Sequence, residues 1–241
     1  MGAPVKKLSF ILAVFFLAGL GCKKTDREPM ADSGPILKVR DLLGKGDYDG
    51  ALQAAKDFSS RLPAQPGNEE SLYLQGYILS YGKTDFQKAR LPLKQLLGLY
   101  PSGAFAAQAQ KLLADGQYWQ GHYDAASREY RKLGGSYEDK SYGCYAQLQE
   151  AHCLLLDDKV GDAVALYKEI VEKYPTDPLA ATAQLMIANS CIKLQNVRQA
   201  KTELRKLVAM TKDEDILESA QKALRQIDVQ EPLKKDAGVP K

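Results

Sequence analysis

Five times between residues 48 and 200 an aromatic or β-branched residue stands three places before an alanine: Tyr48/Ala51, Phe86/Ala89, Tyr123/Ala126, Val160/Ala163 and Val197/Ala200. Successive alanines are 38, 37, 37 and 37 residues apart. A fixed period of this length argues against a single-core domain. Each unit is then one supersecondary element that cannot bury its apolar face alone, and stacked neighbours make the core. Other positions keep the phase. Four residues after the alanines come Leu93, Tyr130, Tyr167 and Leu204, which share the alanine's helical face and can reach the neighbouring helix. Twelve residues after them come Pro63, Pro101 and Pro175, where a missing donor and a ring clash stop a helix. In the third unit Gly134-Gly135 is expected to supply the break instead, and Gly134-Gly135-Ser136 reads as a loop.

Apolar residues between these marks recur at spacings of three and four, as in Leu185, Ala188, Ile192 and in Leu166, Ile170, Tyr174, so the elements are helices. Asp85 and the run Thr176-Asp177-Pro178 sign helix starts. The spacing predicts helical hairpins over 35–62, 69–99, 103–133, 138–173 and 177–210. A closing helix follows over 213–227, with Ile216, Ala220 and Leu224 covering the last hairpin while Lys222 and Arg225 face water. The fold class is therefore all-α: a superhelical solenoid of about five hairpins and a cap over 35–227. Each alanine marks a close approach of two helices, and the larger residue three places earlier fills the gap where hairpins meet.

The first 34 residues do not belong to that array. Lys6 and Lys7 precede the apolar run Leu8 to Leu20, which ends at Gly21-Cys22. About 20 Å of helix is too short for a hydrocarbon core of ~30 Å, so 1–21 reads as a cleaved export leader rather than an anchor. Gly19, Gly21 and Cys22 resemble the lipobox of bacterial lipoproteins, which implies lipid attachment at Cys22. The chain has glycine where that motif most often has leucine, and an ordinary secretory leader cut near Cys22 is the alternative. By resemblance to the enterobacterial sorting rule, Lys23 implies the periplasmic side of the outer membrane, given a Gram-negative source. Residues 22–34 are polar with Pro and Gly and read as a flexible tether; 228–241, with Pro232, Gly238 and Pro240, read as a disordered tail. The formal charge of +3, which falls to +1 without Lys6 and Lys7, does not point to nucleic acid.

At this level of detail the chain resembles the tetratricopeptide repeat (TPR) family. That motif has an alanine early in the second helix, an aromatic four residues on and a proline twelve on, met best by Ala163, Tyr167 and Pro175. The family's small first-helix residue falls at Ala151 and Ala188, and near Phe86 it is a glycine slipped by one place, Gly76. Within the family, a lipidated N-terminus and Tyr-Pro links such as Tyr100-Pro101 and Tyr174-Pro175 resemble TPR lipoproteins of the BamD and TolA-binding types. The resemblance implies a membrane-tethered scaffold for other proteins of the cell envelope, in outer-membrane protein assembly. The alternative is a substrate- or peptide-binding accessory to a cell-wall or export machinery. No cofactor or nucleic acid is implied.

Placing the family's groove positions in the alanine phase puts Gln108, Lys111, Asp115, Tyr118 and Trp119 of the third hairpin on a partner-binding face. The fourth hairpin adds Tyr145, Leu148 and His152, and the fifth adds Thr182, Leu185, Asn189 and Lys193. Aromatic anchors mixed with polar groups suit an extended or helical segment. One of Tyr118 and Trp119 is expected to fill the hairpin interface, and a lone mid-helix histidine is ordinarily a buried one. The sequence has two histidines, no His-x-x-x-His or Cys-x-x-Cys and no nucleophile motif, so neither catalytic nor metal-binding residues are read from it. Of the remaining thiols, family stacking makes Cys153 and Cys191 neighbours that an oxidising compartment could pair; buried free thiols are the other reading.

Overall fold

The computed structural model describes residues 34–61, 67–136 and 142–236, with side chains described through 228. The expected leader, Cys22, the tether up to 33, Pro63 and the end of the tail lie outside the described residues. Every regular element among those described is helical. The first hairpin pairs α1 (Gly34–Gly44) with α2 (Tyr48–Arg61), and the second pairs α3 (Asn68–Tyr77) with α4 (Phe86–Leu99). Then come α5 (Ala106–Trp119) with α6 (Tyr123–Ser136), α7 (Gly143–Leu156) with α8 (Val160–Lys173), and α9 (Pro178–Lys193) with α10 (Val197–Met210). The closing helix is α11 (Glu214–Asp236).

Each second helix begins on its marker residue and runs for 14 residues. The five phase-setting alanines are buried, as are Leu93, Tyr130, Tyr167 and Leu204 behind them. The marker rings fill gaps between units. Tyr48 lies against Gly82 and Phe86 against Gly116. Asp85 caps α4 by accepting from the Lys88 N–H at 3.0 Å, and Asp177, ahead of Pro178, caps α9 through the Leu179 N–H at 2.9 Å. The turn inside each hairpin carries one residue in the left-handed region: Gly46, Thr84, Gly121, Asp158 and Gln195, at φ between 51° and 77°. These positions repeat the 38, 37, 37, 37 spacing of the alanines.

The one long interval has a cause. After Tyr77 the backbone makes a π-helical turn, Ile78–Gly82, which absorbs one extra residue. Gly76 is therefore not slipped at all. It lies 37 residues after Val39, and everything from Thr84 onward arrives one residue late. A Cβ at Gly76 would sit 2.3 Å from Leu93 Cδ2, so only glycine lets α3 approach α4 this closely.

Two boundaries differ from expectation. Gly134 and Gly135 belong to the last turn of α6 rather than to a loop. A Cβ at Gly134 would stand 3.3 Å from Ala146 Cβ, so that glycine serves a helix–helix contact with α7 and not a break. The closing helix continues past Ile227 to Asp236; Pro232 costs it a backbone donor without ending it.

The core is serial. One apolar cluster joins the first two hairpins to α5, through residues such as Val39, Leu72, Leu93 and Leu112. The next joins the third hairpin to α7 around Tyr130 and Leu133, and another joins the fourth to α9 around Tyr167 and Ile170. The last joins the fifth hairpin to α11 around Leu204, Leu207 and Ala220. Along the array α3 touches α5, α7 touches α9 and α9 touches α11, while no two successive second helices come into comparable contact. In these three pairs the first helices approach each other more closely than the second helices do, the curvature of a solenoid.

Candidate partner-binding groove

The inner face of hairpins two to four carries a connected set of aromatic and charged groups centred on Asp115. This carboxylate is buried and accepts three hydrogen bonds: from Tyr130 Oη at 2.6 Å, from Lys111 Nζ at 2.7 Å and from Tyr81 Oη at 3.1 Å. Its donors come from α6, from α5 one turn earlier, and from the π turn of the preceding hairpin. The π turn matters here because it carries Tyr81, which reaches across to α5. Lys111 Nζ also lies 5.2 Å from the centroid of the Tyr145 ring on α7, a cation–π contact that extends the set into the fourth hairpin.

Charge and burial make the group internally consistent. Burial acts to lower the Lys111 pKa, but Asp115 and the tyrosines Tyr145 and Tyr81 outweigh it and hold the ammonium above its ordinary range. Burial, reinforced by Asp115, pushes Tyr81 up to about 12 and places Tyr130 well above its usual value. All these hydroxyls therefore stay protonated donors at neutral pH.

On the open side of this hub the rings form a stripe. Tyr73 stacks on Phe105 at 5.0 Å, Tyr73 meets Tyr77 at 6.2 Å, and Tyr77 meets Tyr81 at 5.2 Å. Tyr77, Tyr81 and Trp119 remain 38%, 49% and 57% exposed. Glu69 from α3 accepts the Phe105 N–H, so it satisfies the start of α5, which lacks a capping side chain of its own.

Of the residues read from the sequence, Lys111, Asp115 and Tyr145 do come together, with Gln108 half-buried one turn before Lys111. Tyr118 fills the hairpin interface, its ring 5.7 Å from Tyr123, while Trp119 faces outward. Leu148, His152 and Leu185 do not line a surface: all three are buried, Leu148 in the cluster around Tyr167 and Leu185 in the cluster around Leu204. Leu148 and Leu185 stand one and two repeats after Lys111, where an apolar side chain joins the core instead of bridging to Asp115, and His152 stands at the position of the buried Asp115. His152 lies 5.7 Å from the Tyr167 ring, and burial lowers its pKa from 6.5 to about 4, so it is neutral. Thr182 is half-buried and Asn189 exposed; Lys193 bonds Asp158 at 2.7 Å in the preceding hairpin's turn. The sequence reading missed Tyr73, Tyr77, Tyr81 and Phe105. Their signal was present, since 73, 77 and 81 follow a spacing of four along one helical stripe.

Cys144, Cys153 and Cys191 are buried free thiols. Cys153 and Cys191 belong to different apolar clusters and do not pair. Burial pushes the Cys144 and Cys153 thiols up to about 12, far from the reactive thiolate. Among the described residues no three metal-ligating side chains cluster, and no helix is long and apolar enough to cross a membrane.

Serial hairpins, a concave first-helix face and buried alanines at fixed phase define a TPR-like superhelical solenoid. The solved structures that share it include a tetratricopeptide repeat protein from Parabacteroides merdae, 17% identical with a TM-score of 0.62, over 80% of this chain and 72% of that one. MamA from Desulfovibrio magneticus is similar at 15% identity and a TM-score of 0.58, over 76% of this chain and 98% of that one. Yeast Tom70 is similar at 13% identity and a TM-score of 0.59, over 85% of this chain and 43% of that longer one. At these identities the likeness is one of fold. No family model matches the chain, and no curated protein matches it.

Proposed function

We propose that the chain is a membrane-tethered protein–protein interaction scaffold of the bacterial cell envelope, acting in outer-membrane protein assembly. Its partner seat is the aromatic face of hairpins two to four. The observation that carries the binding role is the exposed pair of rings Tyr77 and Tyr81 beside the Lys111–Asp115 pair, with Trp119 exposed one turn beyond Asp115 on α5, because large exposed rings around a preorganised polar hub are what anchor a peptide segment. Support for the tether is the sequence pattern Lys6-Lys7, Leu8 to Leu20 and Gly21-Cys22.

Affinity capture from detergent-solubilised envelopes tests the reading. Wild type should recover β-barrel assembly subunits, and a Tyr77→Ala/Tyr81→Ala variant should lose them, because each anchor ring contributes about 2 kcal/mol. Recovery of cell-wall enzymes alone would favour an accessory role there, and equal capture by the variant would remove the groove from the account. Cys22→Ser should release the protein from membranes without detergent; continued membrane association would sink the lipid tether.

A further inference from the structure

The hydrogen-bond inventory of the groove narrows what it can hold. Every charge on α3 and α5 is already engaged. Asp115 accepts from Tyr130, Lys111 and Tyr81. Glu70 is held by Arg40, whose Nη2 lies 2.7 Å from its carboxylate, and Glu69 accepts the Phe105 N–H. Lys111 is committed to Asp115 and to the Tyr145 ring. These two helices therefore have no free carboxylate to receive a ligand's donors and no free cation to hold its acids. Donors do remain. The hydroxyls of Tyr73 and Tyr77 have no hydrogen-bond partner among the described residues. Burial pushes Tyr73 up to about 12, so it keeps its proton at neutral pH.

The rings that carry these hydroxyls form a ladder along one helical stripe. Tyr73, Tyr77 and Tyr81 are four residues apart, and each is tilted against the next, by 39° and 56°. Successive rings thus leave shallow aromatic notches between them rather than covering one another. Eight residues of helix extend about 12 Å, the length of about four residues of polyproline II at ~3.1 Å each. An occupant of this surface should bring acceptors and flat apolar groups but few donors. An ordinary peptide brings an N–H with every carbonyl, and a glycan brings an O–H with every hydroxyl. Such donors would be desolvated against the rings with no acceptor to receive them. We propose that the Tyr73–Tyr77–Tyr81 ladder binds a proline-rich segment of a partner protein in the polyproline II conformation. Its pyrrolidine rings sit between the tyrosines, and its carbonyls accept from the Tyr73 and Tyr77 hydroxyls. Proline has no N–H to desolvate, and its locked φ leaves little ordering entropy to lose on docking. The inference rests on the reading of this face as a partner seat and narrows it to one class of segment.

The full chain is titrated calorimetrically with acetyl-octaproline-amide while the backbone amides of 73–82 are followed by NMR. Saturable binding with shifts along this stretch is expected. Acetyl-(Gly-Ser)₄-amide, with an N–H at every residue, and chitotriose should each bind about tenfold more weakly. Tyr77→Ala should weaken octaproline binding about tenfold, the scale of one anchor ring. Tyr77→Phe keeps the ring and its packing, loses only the hydroxyl, and should weaken it about threefold. The proposal is overturned if octaproline does not bind, if either control ligand binds equally, or if neither Tyr77 variant changes the affinity. Any of these, with envelope capture still dependent on Tyr77 and Tyr81, removes the proline-rich partner and leaves the groove. Loss of that dependence removes the groove itself.

Discussion

Acidification should single out one residue of this array. His152 lies in the middle of α7 with 8% of its surface exposed, and burial lowers its pKa from 6.5 to about 4. In the unfolded chain the same imidazole titrates near its ordinary value of about 6.5. Between those two values the unfolded state binds a proton that the folded state refuses, so stability falls as pH falls. Above 6.5 both states are neutral and the effect vanishes; below about 4 both are protonated and the loss is complete. At ~1.4 kcal/mol per pH unit the full loss is about 3 kcal/mol, and roughly 2 kcal/mol of it is gone by about pH 5. Urea unfolding followed by circular dichroism, at pH 7.5 and 5.0, reads this directly. Carboxylates titrate over the same range, so the informative quantity is the difference between wild type and His152→Gln. Wild type should lose about 2 kcal/mol more than the variant across that interval. Equal losses, within about 0.5 kcal/mol, would show that the ring is solvated in the folded state and that the packing around α7 is looser than described.

Other perturbations follow from the same geometry. Asp115→Ala strands the Lys111 ammonium and the Tyr130 hydroxyl in a buried setting and should cost about 3 kcal/mol in chemical denaturation; a loss under about 1 kcal/mol would mean that the hub is not a unit. Thr84→Gly relieves a β-branched residue at φ 51° and should raise stability by about 0.5–1 kcal/mol, whereas an unchanged or lowered midpoint would contradict the strain. Ala163→Leu inserts three carbons at a fully buried position and should cost roughly 1–3 kcal/mol; a thermal melt unchanged within about a degree would undo the phase assignment. Deleting Ser80 from the π turn should leave an α-helix of regular period but swing Tyr81 away from Asp115, so partner capture should fall while helicity by circular dichroism holds.

The array was legible because its contacts are made by residue types with few substitutes. Ala51, Ala89, Ala126, Ala163 and Ala200 stand where only a small side chain lets two helices meet, so the period survives as letters in the sequence. The π turn was legible only as a 38 among 37s, since nothing in Ile78–Gly82 favours a wider turn by composition. Gly134 misled because glycine serves two ends: it breaks helices and it permits close approach, and the sequence does not say which. The groove was half legible. Helical phase put Lys111, Asp115 and Tyr145 on one face, but Leu148 and Leu185, one and two repeats after Lys111, join the core because they are apolar. That is a property of residue type rather than of period. Tyr73, Tyr77 and Tyr81 were overlooked because they sit in the hairpin whose register the π turn disturbs.

The serial core has a temporal consequence. The third, fourth and fifth hairpins each complete their apolar cluster only with the first helix of the following unit: Tyr130 needs α7, Tyr167 needs α9 and Leu204 needs α11. A chain that emerges from a ribosome or a pore N-terminus first therefore always trails one unfinished hairpin, and it becomes fully closed only when residues near Ala220 and Ile227 arrive. α11 is thus the piece that closes the fifth hairpin and the one whose loss leaves that hairpin open, so a chaperone or a protease sampling the nascent array would read the same kind of edge after each of these hairpins.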